Sequence, residues 1–113
     1  MYLDRKVVAR RDGLSNDALR QLAVATRDVL GSGIAALVGS SDGKGVVAVA
    51  VSKDLVELGI SAGTLARAAA QSMGGSASPQ PDVSVGGGPN GDAVAEAVDV
   101  LTEQARAGSG AGA

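Results

Sequence analysis

Residues 46–56 read Val46-Val47-Ala48-Val49-Ala50-Val51-Ser52-Lys53-Asp54-Leu55-Val56, a run of small and β-branched apolar residues ending in a polar break. A strand over Val46–Val51 has no polar face, so it must be covered on both sides and lie inside a sheet. The break predicts a short helix: Ser52 occupies an N-cap position, Asp54 falls in the first turn, and Leu55 and Val56 lead to a stop at Gly59.

Upstream, Ser41-Asp42-Gly43-Lys44-Gly45 predicts a glycine-containing hairpin loop back to a strand over Ile34–Ser40. Before that strand, Leu19, Leu22, Ala23, Thr26, Val29 and Leu30 recur at helical spacing and form one apolar stripe. Ser15 is its N-cap, Leu14 and Leu19 are placed for a hydrophobic staple, and Gly31 supplies a left-handed stop. The opening Arg5-Lys6-Val7-Val8-Ala9-Arg10 suits an edge strand with charged ends.

Downstream, Ser61 is placed to cap a helix whose Ala62, Leu65, Ala66, Ala69, Ala70 and Met73 share a face and which stops at Gly74-Gly75. Gly, Ser and Pro dominate from Gly74 to Gly91, broken by Asp82-Val83-Ser84-Val85, which alternates as a short strand does. Asn90 or Asp92 starts a last helix that buries Val94, Ala97, Val98, Leu101 and Ala105, and Gly108–Ala113 is expected to be a disordered tail. The order β-α-β-β-α-α-β-α predicts one α+β domain over residues 1–107, a mixed sheet of four to five strands with helices packed against it.

Composition narrows the chemistry. The 113 residues contain no Cys and no His, which removes thiolate nucleophiles, imidazole bases and most zinc sites. Apolar residues make up 45%, yet Tyr2 is the single aromatic, so there is no platform on which bases could stack. Ten cations against twelve anions give a net charge of −2, and any attraction for a polyanion must be local. The longest apolar run is far below the ~20 residues a membrane helix needs, and the N-terminus has no apolar signal core, so no membrane partner and a cytoplasmic location are expected.

One block carries a family resemblance. Val51-Ser52-Lys53-Asp54-Leu55-Val56, then Gly59-Ile60-Ser61-Ala62-Gly63, then Gly74-Gly75, then Pro81-Asp82-Val83-Ser84-Val85-Gly86-Gly87-Gly88, resembles the C-terminal domain of alanyl-tRNA synthetases, without insertion or deletion. Related domains accompany DHH-type phosphoesterases and single-strand exonucleases. The resemblance, which runs from about Ser15 to Arg106, implies a non-catalytic accessory domain of an alanine–tRNA ligase. Such a domain docks tRNA, here tRNA-Ala, between the aminoacylation and editing parts, and in some members assists homodimerisation. It implies no cofactor in the domain itself, since ATP and zinc belong to other parts of a full-length synthetase. The family pattern has glycines where this chain has Ala77, Ser78 and Pro79, an arginine at Gln80, and Ala-Gln at Ser84-Val85. Pro79 carries no amide donor and Gln80 no charge, so this loop offers a phosphate less than the family pattern does.

The expected RNA contacts are Lys53, Arg67, the loop from Gly74 and Gly75 to Gln80, Gly86 and Gly87, and Arg10 and Arg11. Glycines allow close backbone approach to phosphates and leave amides free to donate, and cations supply charge. Each has a plain structural counterpart: Lys53 as a solvated residue beside a cap, Arg67 as helix surface, Arg10 and Arg11 as strand-edge charge, and Gly86-Gly87-Gly88 as a flexible strand-to-helix connection. That glycine run has neither dinucleotide-fold nor P-loop spacing, and Asp82 with Asp92 or Asp42 lacks the partners for a metal or an acid–base pair. The alternative function is a protein-interaction or dimerisation module that kept the fold and lost the RNA surface, with Ala and Val of the last helix as a symmetric interface.

Overall fold

The computed structural model describes residues 5–111, with side chains from 6 to 104. Tyr2, the Arg5, Ala105 and Arg106 side chains, Gly112 and Ala113 lie outside the described residues. The strands are β1 (Arg5–Arg10), β2 (Gly33–Ser41), β3 (Lys44–Val51), β4 (Ser76–Ala77) and β5 (Val83–Gly88). The helices are α1 (Asn16–Leu30), α2 (Lys53–Glu57), α3 (Ala62–Ser72) and α4 (Val94–Ala111), with a 3-10 turn over Gly91–Ala93.

The sheet order is β1-β2-β3-β5-β4, with β1 parallel to β2 and every other neighbour antiparallel. This is the α+β architecture expected, with β1 at the edge and β3 inside. Alternation along β3 divides the core. Val47, Val49 and Val51 face a layer made by α3 and α4, joined by Ile34, Ala36 and Val38 of β2 and by Leu55. Val46, Ala48 and Ala50 face α1, where Leu19, Ala23 and Leu37 meet them. Small residues in β3 let helices sit close on both faces. The molecule is thus three layers, one helix, the sheet, and then two long helices.

Local signals explain most boundaries. Ser15 Oγ accepts from Ala18 N at 3.2 Å, Leu14 packs against the cluster that contains Leu19, and Gly31 takes φ +76° while its amide donates to Arg27 O. All six residues of the α3 stripe are buried, as are Val94, Ala97 and Leu101 of α4.

Several expectations are corrected. Val29 is not in the α1 stripe; it is 86% exposed, because at 3.6 residues per turn it lies roughly 80° round the helix from Leu19. Ser52 and Ser61 occupy N-cap positions without a side-chain cap bond. The Ser52 hydroxyl instead accepts from Gly33 N at 3.0 Å and donates to Asp54 Oδ1 at 2.6 Å, tying α2 to the start of β2. Gly86-Gly87-Gly88 is neither loop nor linker: it continues β5 through Gly88 and pairs with Gly45, Val46 and Val47, and its outer side takes the short extra strand β4. Helix α4 runs to Ala111, into the segment expected to be a disordered tail.

Candidate nucleic-acid interface

The expected contact residues fall into three places. Arg10, Arg11, Gly74, Gly75, Gly86 and Gly87 lie toward the end of the sheet that carries the β2–β3 hairpin, since Arg10 pairs with Val38 and Gly87 with Val46. Lys53 lies at the opposite end, just past Val51, and the loop carrying Gln80 reaches that end through Pro81 O, which accepts from Ala62 N at 2.8 Å. An eight-residue strand spans roughly 25 Å, so these two groups do not form one site. Arg67 stands exposed on α3, and it is the only charged residue from Ile60 to Pro81.

At the hairpin end several of the expected contacts are already engaged within the protein. Arg10 Nε donates to both Asp12 oxygens, at 3.0 and 3.1 Å, while Asp12 Oδ1 accepts from Ser40 N at 2.9 Å. The Ser40 amide first, and then the Arg10 guanidinium, hold the Asp12 carboxyl below its ordinary range. Arg11 Nη1 donates to Arg10 O at 2.8 Å. Gly74 N and Gly75 N donate to Gln71 O and Ala70 O, ending α3, and Gly86 O accepts from Asn16 Nδ2 at 3.0 Å. The reason for glycine there is contact. A Cβ on Gly75 would sit 1.8 Å from Gly87 O, and one on Gly87 would sit 2.2 Å from Gly45 O. Helix end, β5 and β3 are therefore as close as backbones allow.

The loop that departs from the family pattern is tied down by the same departure. Ser84 is fully buried, and its hydroxyl donates to Ser78 O at 2.6 Å, with Ser78 Oγ 3.1 Å away. Ser78 Oγ also accepts from Val85 N at 3.3 Å. Serine at 84 thus holds residues 78–83 as a closed turn on the sheet.

The Lys53 end is different. Asp54 accepts from Ser32 Oγ at 2.5 Å and from Ser52 Oγ, bonds that hold its carboxyl below the ordinary range, with Ser32 the larger cause. Lys53 makes no ion pair among the described residues. It lines an open cleft with Arg27, Asp28, Gly31, Val56 and Asp82. A second open cleft shares Arg27, Asp28 and Asp82 and continues past Gln21 to Arg20. Sequence reading missed Arg20 and Arg27, although their seven-residue spacing on one helix was a visible signal.

Residues 4–107 match the DHHA1 domain. The chain belongs to the DHHA1 family. Its relatives include the alanine–tRNA ligases of Myxococcus xanthus, 35% identical over 87% of this chain, and of Rhizorhabdus wittichii, 43% identical over 81%. The DHHA1 domain spans only 11% and 10% of the length of those ligases, so it corresponds to a small part of them. In three dimensions it is similar to the C-Ala domain of Aquifex aeolicus alanyl-tRNA synthetase, with a TM-score of 0.78 and 22% identity over 88% of this chain and 89% of that one. That likeness establishes the fold. Among the described residues, no helix is long and apolar enough to cross a membrane.

Proposed function

We propose that this DHHA1 domain is a tRNA-docking accessory module of an alanine–tRNA ligase, acting in the cytoplasm and holding tRNA-Ala between the aminoacylation and editing parts. The observation that carries the reading is the match of nearly the whole chain to such ligases. The free cations Lys53 and Arg67 are the strongest of the expected contacts, because neither is engaged by a carboxylate among the described residues. The Gly74–Gln80 segment, Arg10 and Arg11 would contribute by shape and charge, and Gly86 and Gly87 by bringing the backbones together. No cofactor is required in this domain; ATP and zinc would act elsewhere in a full-length ligase. Filter binding of tRNA-Ala at two salt concentrations tests the reading. Binding that weakens steeply with salt is expected, and no retention at low salt refutes it.

A second reading, a protein-interaction or homodimer surface, has one observation in its favour. Val29 and Leu58 are 86% and 74% exposed. On this reading they would bind a partner, whereas the large apolar side chains of α4 are buried or half-buried in the domain. Light scattering across a hundredfold concentration range decides it: a constant monomer mass rules the homodimer out.

A further inference from the structure

We infer that a principal RNA-contact surface of this domain is the seam between α1 and the start of β5, where Arg20, Arg27 and Lys53 form a row of contacts to the RNA sugar–phosphate backbone, distinct from Arg67 on the opposite face of the sheet. The inference rests on the docking reading above and names its site. The two adjoining clefts share Arg27, Asp28 and Asp82 and together make one open groove, with Arg20 at one end and Lys53 at the other. Arg20 and Arg27 are separated by roughly 10 Å along α1, at 1.5 Å per residue.

Arg27 is the central observation. Its side chain is only 22% exposed, and its Nε and Nη2 both donate to one oxygen, Asp28 Oδ1, at 3.3 Å. That shared acceptor leaves Nη1 with no partner among the described residues while the guanidinium is already held in the groove wall. A planar cation fixed in place with donors to spare is suited to a phosphodiester oxygen. Arg20 and Lys53 make no ion pair among the described residues. The groove is open rather than enclosed, so it fits a chain that passes through it. With no aromatic side chain in it, recognition falls on sugar and phosphate rather than on bases. Asp28 and Asp82 stand in the same wall and offset part of the positive charge of the row. The α4 side of the molecule is unsuited to the role, since Asp92, Glu96, Asp99 and Glu103 are all exposed there.

The test compares matched charge removals in tRNA filter binding over a salt series. R20Q/K53Q should flatten the log–log salt dependence by about 1.5 units, at roughly 0.7–0.9 per phosphate contact. K6Q/K44Q, which removes the same charge outside the groove, should change it by less than half as much. D82N should tighten binding several-fold at low salt. Arg27→Gln, with a thermal melt to verify folding, should weaken binding at every salt concentration. If wild-type protein binds and both double variants lose equally, or D82N leaves affinity unchanged, the seam is wrong and the docking reading stands. If wild-type protein does not bind, the docking reading fails and the seam with it. Groove variants that retain RNA affinity but lose a protein partner would overturn the seam in favour of a protein interface.

Discussion

The glycine contact between α3 and β5 makes a quantitative demand. Gly75→Ala would place its methyl 1.8 Å from Gly87 O and 2.5 Å from Gly88 Cα, both backbone atoms inside a ladder that also involves β3. Neither atom can swing away as a side-chain end would, so relief requires moving β4 off β5 or α3 off the sheet. Overpacking into side chains commonly costs about 1–3 kcal/mol; against paired backbone the expected loss is at the top of that range or above it, about 3–4 kcal/mol. Gly13→Ala is the control. Its new methyl meets nothing within 4 Å, and only the φ of +83° penalises it, by about 1–2 kcal/mol. Urea unfolding measures both, with slopes on the order of 1–3 kcal/mol/M for a domain of this size. Equal losses for the two variants, or a Gly75→Ala loss under 1 kcal/mol, would refute the argument that contact rather than conformational freedom fixes glycine at 75.

Ser84→Ala removes the donor to Ser78 O and should lower stability by about 1 kcal/mol, with faster amide exchange at Val85, whose N–H depends on Ser78 Oγ. Ser15→Ala removes the α1 cap and should cost about 1 kcal/mol in the same assay. Asp12 and Asp54 both have folded-state pKa values below the ordinary 3.8. Their contribution is therefore complete above that value and is lost as pH falls through it toward the lower folded value. Stability of D12N/D54N should consequently vary less between pH 5 and pH 2 than that of the wild type, and equal slopes in an acid titration would contradict these assignments.

Elements with a strong internal period are legible in the sequence alone. The α3 stripe from Ala62 to Met73 and the two-sided burial of Val46–Val51 follow from side-chain chemistry alone. What escaped depends on pairing across the sheet. Nothing in Gly86-Gly87-Gly88 favours a strand locally; it is one because Gly45, Val46 and Val47 are alongside, and because β4 needs a partner without side chains in the way. Ser52 reads as a cap, but the neighbouring β2 offers Gly33 N, a bond that sequence distance conceals. The same holds for the cation row: Arg20 and Arg27 are on α1 and Lys53 follows β3, and only the packing of α1 across the sheet brings them to one groove.

The glycines bear on function in a way opposite to their first reading. A glycine-rich stretch invites the thought of amides held open for phosphate, yet Gly74 N and Gly75 N close α3, and Gly86 and Gly87 lie within ladders on both sides. These residues account for how three backbones reach contact distance, a requirement of the fold whatever the domain binds. Arg10 is likewise engaged by Asp12. Among the described residues, the groups able to form new bonds to an anion include side chains outside that glycine cluster: Lys53, Arg67, Arg20 and the open edge of Arg27. A relative could thus keep every glycine of the motif and still lose RNA binding by exchanging a few surface cations. Charge substitutions in the groove are accordingly the sharper probe of function, and glycine substitutions the sharper probe of the fold.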